Sequence, residues 1–156
     1  MAEHLLKTSL TVPRPLGEVF AFFADAGNLE RITPPEFGFH IVTSKPIVLK
    51  TGALIDYKMS MRGIPVKWRT EITLWNPPFE FEDRQLKGPY NQWIHRHTFT
   101  EIGPQKTLIE DEVRYRLPFE PFGDIAHFLV ERELKNIFDY REKAVEKFFG
   151  SPIKTI

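Results

Sequence analysis

Thirteen prolines constrain this chain more than any other feature. They lie mostly between apolar-patterned segments, where a residue with fixed φ and no N–H interrupts a helix or ladder least, so they mark element boundaries. A strand-like run over residues 5–12 precedes Pro13 and Pro15. These prolines open a short helix, because Pro suits the first helical position and Leu16, Val19, Phe20 and Phe23 then repeat at helical spacing. The stretch from Asp25 to Asn28 restarts a second short helix through Ile32, ended by Pro34 and Pro35. From there the period changes to two. Residues 37–43 read as a strand, and five more follow at about 53–62, 66–75, 79–87, 91–102 and 106–117. Their connections, Arg62 to Pro65, Asn76 to Pro78, Lys87 to Pro89 and Gly103 to Gln105, are short turn sequences of the kind that join antiparallel neighbours. The middle of the chain is therefore a meander.

The segment from Pro121 to Phe149 reads as one helix, with Gly150 as its C-terminal cap and Pro152 just beyond. At 1.5 Å per residue it is roughly 40 Å long. Ala126, Val130, Leu134, Ile137, Ala144, Val145 and Phe148 fall on one face, so the helix is laid along a surface. A long amphipathic helix after a twisted antiparallel sheet must cover the sheet's concave face. The tail from Ser151 to Ile156 is expected to fray.

With 156 residues the chain makes a single domain, residues 1–156, that buries roughly two-thirds of its unfolded surface. Balanced charge, 21 Lys and Arg against 21 Asp and Glu, gives little pull on polyanions, so no nucleic acid partner is expected. The longest uncharged stretches are eight residues (37–44, 72–79 and 88–95), far short of the roughly 20 a membrane helix needs, which predicts no stable membrane insertion. The first residues lack a secretory apolar region, and the expected location is cytoplasmic. With no cysteine, any chemistry must use His, carboxylates, Arg, Lys, Tyr or hydroxyls. Fourteen Phe, three Trp and four Tyr suggest planar side chains lining a core or a pocket.

Strand alternation assigns faces. Ile55, Tyr57, Met59 and Met61 point one way, as do Val66, Trp68, Thr70, Ile72 and Leu74. In the next three strands the inward sets are Phe81, Asp83 and Gln85; Trp93, His95, His97 and Phe99; and Ile109, Asp111, Val113 and Tyr115. Polar residues intrude here. Asp83, Gln85, His95, His97 and Asp111 share the parity of the aromatic residues, and Glu133 and Arg141 sit eight residues apart within the helix's apolar stripe together with Ile137. A buried unpaired carboxylate or imidazole costs several kcal/mol, so these groups must bond one another, a water or a ligand. They form either a polar network that only fixes strand register or the anchoring wall of an amphipathic cavity. Five polar side chains on three successive inner faces exceed what one register-fixing pair needs, which favours the cavity.

The order strand, two short helices, long antiparallel sheet and long C-terminal helix resembles the START-related helix-grip superfamily (SRPBCC), which includes birch-pollen-allergen-like proteins, lipid-transfer domains and polyketide cyclase/dehydrases. The residues that carry the resemblance are Val12 to Phe20, Asn28 to Pro35, Phe81 to Gln85 with Gly88 to Tyr90, and Trp93 to Phe99 with Thr107, Asp111, Val113, Tyr115 and Pro118. These look like a bacterial branch of the superfamily. The resemblance covers nearly the whole chain, from Leu5 to Phe149, and implies an α+β helix-grip fold: a roughly seven-stranded antiparallel sheet around the C-terminal helix, with a hydrophobic cavity between them. It implies no particular reaction, because members range from carriers to cyclases.

The expected ligand-binding set is Tyr57, Met59, Met61, Trp68, Phe81, Asp83, Gln85, Trp93, His95, His97, Phe99, Asp111, Tyr115, Glu133, Ile137 and Arg141. The favoured function is binding of a small hydrophobic or amphipathic molecule (a lipid, polyketide or aromatic metabolite), without a cofactor, by a monomer or homodimer. The alternative is a cofactor-free cyclase or dehydratase in which His95 or His97 acts as general acid/base and Asp83 or Asp111 orients the ring. His95 and His97 also have zinc or iron spacing, with Asp83 or Asp111 as a third ligand, but the pair alone is weak and no metal is expected.

Overall fold

The structure, a computed structural model, describes residues 2–118 and 123–150. Along the chain run β1 (His4–Val12), α1 (Leu16–Ala24), α2 (Asn28–Arg31), β2 (His40–Ile41), β3 (Leu54–Met61), β4 (Ile64–Asn76), β5 (Glu80–Lys87), β6 (Gln92–Gly103), β7 (Lys106–Arg116) and α3 (Gly123–Phe149). The seven strands form one antiparallel sheet in the order β1-β7-β6-β5-β4-β3-β2. Only β1 sits out of sequence, at the outer edge of β7, where Leu6, Leu10 and Val12 join the inner face.

Two proline effects shift the boundaries read from sequence. The strand expected over residues 37–43 shrinks to His40–Ile41, because Pro35–Phe37 closes a 3₁₀ turn with Pro at its start and Gly38 follows in the left-handed region at φ 52°. In contrast, β4 begins earlier than residue 66. The β3–β4 turn is only Arg62 and Gly63, both at positive φ, and Pro65 already pairs with Ser60. It can do so because β5 joins β4 only from Arg69 onward, so Pro65's missing N–H removes no bond on that side.

The sheet bends through two irregularities between β4 and β5, one at Arg69/Thr70 and one between Ile72 and Leu74. An extra residue on one strand raises local twist and curls the sheet. It also reverses the alternation, so beyond Thr73 it is Trp75 that packs on Phe20 and Phe81, with ring centroids 5.3 and 5.4 Å away. The inward assignment of Leu74 is corrected accordingly.

Helix α3 lies along the concave face. Its N-terminal half (Val130, Leu134, Phe138) packs with Tyr90, Val113, Tyr115 and Leu117. Its C-terminal half (Val145, Phe149) packs with Phe20, Phe22, Phe81 and Phe99. Gly150 caps it at φ 92°, its N–H donating to the Glu146 carbonyl. Pro121, Pro152 and the tail from Ser151 lie outside the described residues. The buried stripe runs Val130, Leu134, Phe138, Arg141, Val145 and Phe149. Its steps average more than the 3.6 residues of a turn, so the stripe drifts round the helix. Phe149 is the buried residue at its end, not Phe148, which is 53% exposed.

This drift generates a prediction. Phe149→Ala should lower unfolding free energy by about 3–5 kcal/mol and Phe148→Ala by about 1 kcal/mol or less, read from denaturant titrations with unchanged slope. Equal losses would place the stripe wrongly.

Candidate functional site

Between α3, the inner faces of β3 to β6 and the α1–α2 segment lies a cavity of about 190 Å³. One wall is aromatic. Trp68 and Trp93 meet edge to face at 5.5 Å, and Tyr90 closes the corner 4.9 Å from Trp93. Met59, Met61, Tyr57, Phe81 and Ile137 add to the lining.

The opposite wall carries charge. Asp83 stands directly across from His95, and Asp111 directly across from His97. The bonds run along the diagonals: His97 Nε2 lies 2.7 Å from Asp83 Oδ2, and His95 Nε2 lies 2.8 Å from Asp111 Oδ1. Diagonal neighbours on a sheet are within reach of long side chains, and this criss-cross locks three strands in register. His97 Nδ1 is 3.3 Å from the same Asp111 oxygen, and Arg141 Nη2 on α3 donates to it at 3.3 Å. Thr8 on β1 donates to the other oxygen at 3.4 Å. The rings of Phe81, His97 and His95 stack in a column, with centroids 4.0 and 3.7 Å apart. The Arg141 guanidinium lies near the Phe23 and Phe138 rings, 5.4 and 5.7 Å from their centroids.

Protonation follows from these neighbours. Burial and the adjacent His97 push the His95 pKa down to about 4, against the pull of Asp111, so His95 is neutral. Burial opposes charge on His97 as well, but two carboxylates bond it and raise its pKa above the ordinary 6.5. Burial works to raise both carboxyl pKa values. His97 nevertheless carries Asp83 below its ordinary value, and Arg141 with the two imidazoles carries Asp111 well below. Two carboxylates thus balance one imidazolium and one guanidinium. Neutral His95 donates a hydrogen bond from Nε2–H to the Asp111 carboxylate. Its Nδ1 has no protein partner among the described residues, where no fully buried polar side-chain atom goes unpartnered, so that nitrogen opens to the cavity its ring lines.

Tyr57, Met59, Met61, Trp68, Phe81, Asp83, Trp93, His95, His97, Ile137 and Arg141 line this cavity. The other expected residues lie off it. Phe99 and Tyr115 are core, packed against the two halves of α3. Asp111 sits behind the histidines and holds them. Gln85 is spent on the backbone of Tyr90, accepting from its N–H at 3.1 Å and donating to its carbonyl at 2.6 Å. A Cβ on Gly88 would meet Gln85 Oε1 at 2.5 Å, so this clamp needs glycine there. Glu133 turns outward to a two-point ion pair with Arg62 at 3.1 and 3.2 Å, over a separate groove between α3 and the β3–β4 turn. Sequence reasoning missed Thr70, which accepts from Trp68 Nε1 at 3.1 Å, and the α1–α2 residues Phe22, Phe23, Asn28 and Leu29. Thr70 had the inward parity. The others carried no signal, since nothing local says where that segment folds back.

Asp83, His95 and His97 also offer ligand atoms within 4.8 Å of one another. A divalent ion there would have to break the His97–Asp83 and His95–Asp111 bonds and sit beside Arg141. The donor set therefore fits its own hydrogen bonds better than a metal.

Residues 12–139 match the family described as polyketide cyclase / dehydrase and lipid transport, and the chain belongs to it. No curated protein matches. Among solved structures, the protein TTHA0849 from Thermus thermophilus is similar with a TM-score of 0.74 at 16% identity, covering 92% of this chain and 95% of its own. A START superfamily protein from Mycobacterium smegmatis reaches 0.70 at 14% identity, covering 93% and 99%. The Zhui aromatase/cyclase from Streptomyces sp. R1128 reaches 0.74 at 16% identity, covering 92% of each chain. At these identities the likeness establishes the helix-grip fold. No helix among the described residues is long and apolar enough to cross a membrane.

The paired histidines should titrate on opposite sides of the ordinary 6.5. In NMR at pH 6.5, His97 should carry both ring protons while His95 remains neutral; the reverse order would overturn the assignment. The His95 contribution to stability is full above 6.5 and lost as pH falls through about 4, whereas the His97 contribution is present below 6.5 and lost as pH rises through its raised value. Asp111→Asn, which strips the anion from His95, His97, Arg141 and Thr8, should cost about 3 kcal/mol.

Proposed function

We propose that residues 1–156 form one ligand-binding domain whose cavity takes up a small hydrophobic or amphipathic molecule. The observation that carries this reading is a preformed space with aromatic rings on one wall and a charge-balanced, internally bonded polar cluster on the other. The family's lipid-transport and cyclase members support the same class of guest. The protein works in the cytoplasm as a monomer or homodimer, with no nucleic acid partner and no stable membrane insertion.

Native mass spectrometry of the purified protein, followed by solvent extraction, should reveal a co-purifying small molecule. Added guest should quench Trp68 and Trp93 emission and raise the melting temperature. Unchanged emission and melting temperature across saturating lipids and aromatics would sink the reading.

One observation supports a second reading, cofactor-free chemistry of the cyclase or dehydratase type. Asp111 fixes His95 as the tautomer with Nε2–H, which leaves Nδ1 as a neutral base facing the guest. On that reading His95→Ala abolishes turnover of a bound carbonyl compound while His97→Ala acts mainly on stability.

A further inference from the structure

The chain's charges cancel in number but not in position. Antiparallel pairing brings the β3–β4 turn, the β5–β6 connection, the start of β1 and the first turns of α3 to one end of the molecule. On the solvent face of the sheet near that end, Lys58 stands directly across from Lys67, and Arg69 directly across from Lys87. Asp56 matches Arg69 at 2.9 Å, whereas Lys58, Lys67 and Lys87 form no ion pair among the described residues. Toward the other end the surplus reverses, with Glu101 and Glu110 exposed on β6 and β7. Like charges directly opposite on a sheet are destabilising, so the fold gains nothing from the lysine pair.

The same end carries an apolar tip. Ile64, just past the turn, and Phe128 on α3 are each 65% exposed, and Leu129 is 55% exposed. Leu129 lines one groove with Arg62 and Gly63, so helix and turn meet at this tip. Around it charge is balanced, because Glu133 matches Arg62, and Glu36 and Glu131 offset Arg132 and Lys135. The spare cations are the lysines of the sheet face. Lys58 and Lys67 stand four residues back from the turn, roughly 13 Å along a strand, which is close to the screening length of about 10 Å. They attract an anionic surface that the tip touches.

Three occupants can be weighed. A second copy meeting this end symmetrically would set lysine against lysine. A nucleic-acid strand needs planar side chains for its bases to stack on, and two of the three tip residues are aliphatic. An anionic bilayer meets both features at once, taking apolar side chains into its interface under a surface that attracts Lys. We propose that this end is a peripheral docking surface for an anionic lipid bilayer, entered by Ile64, Phe128 and Leu129 and steered by Lys58, Lys67 and Lys87. The contact is reversible, since no helix among the described residues spans a membrane.

Co-sedimentation of the full chain with lipid vesicles tests this. At about 0.1 M salt the protein should pellet with phosphatidylcholine vesicles holding about 30% phosphatidylglycerol, stay in solution with pure phosphatidylcholine, and detach as salt is raised to about 0.5 M. Each Lys near the surface is worth about fivefold in affinity, so the double variant Lys58→Gln, Lys67→Gln should bind roughly 25-fold more weakly. Its melting temperature should not fall, because the like-charge pair is gone. Leu129→Ser should weaken binding severalfold while leaving the salt dependence in place, and Glu110→Gln at the far end should change neither. Absence of binding to the anionic vesicles, equal binding to the neutral ones, or unchanged affinity in the lysine or Leu129 variants overturns the proposal. Retention on polyuridylate without retention on vesicles overturns it in favour of a nucleic-acid surface. None of these outcomes bears on the cavity, which guest binding tests separately.

Discussion

One buried carboxylate organises this protein. Asp111 Oδ1 takes hydrogen bonds from His95, His97 and Arg141, and its other oxygen takes one from Thr8. Those donors come from β6, α3 and β1, so a single anion ties the sheet's closing strands to the helix they grip. Burying a lone carboxylate is prohibitive, and burying one with several charge-assisted donors is not. Helix and sheet are held together by dispersion and hydrophobic contact at both ends of α3. In the middle they are held by Arg141, whose guanidinium also lies near Phe23 and Phe138. Apolar packing alone would let α3 slide along the concave face. The directional bond in its middle fixes where it sits.

The cavity exists because the sheet bends more than the helix can follow. Irregular pairing along β4 curls the β3–β4 end of the sheet away from α3, and large aromatic side chains then line the gap without filling it. Gln85 contributes at a distance. By clamping the backbone of Tyr90 it holds that ring against Trp93, so a polar residue with no place in the cavity shapes the cavity's corner.

Much of this was legible because an antiparallel meander with one solvated face writes its alternation into the sequence. The meander of β3 to β7 follows from its short turns, the polar cluster from strand parity and Arg141 from helical spacing, whereas the place of β1 beside β7 carried no such signal. The failures have equally specific causes. Thr73 carries no sign of the extra residue that turns Trp75 inward, since a bulge is set by pairing with a distant strand. Placing Glu133 on one stripe with Arg141 overlooks the helix pitch: eight residues at 3.6 per turn leave the two about 80° apart, enough to swing the carboxylate out to Arg62. Proline's position was read correctly and its tolerance was not: Pro65 sits inside a strand because the neighbouring strand has not yet begun.

Whether the histidine–aspartate cluster serves the fold or a guest is a question that divides by atom. Both Nε2 atoms, Nδ1 of His97 and the Asp111 carboxylate are committed to one another and fix strand register and helix position. Nδ1 of His95 is not, and the network determines its character. Asp111 withdraws the proton to the far side of the ring, and the adjacent imidazolium keeps a second proton off. A structural network therefore leaves one neutral acceptor of fixed direction at the wall of an aromatic cavity. The rigidity demanded by burying four charged groups is the same rigidity that holds that atom in place at the cavity wall.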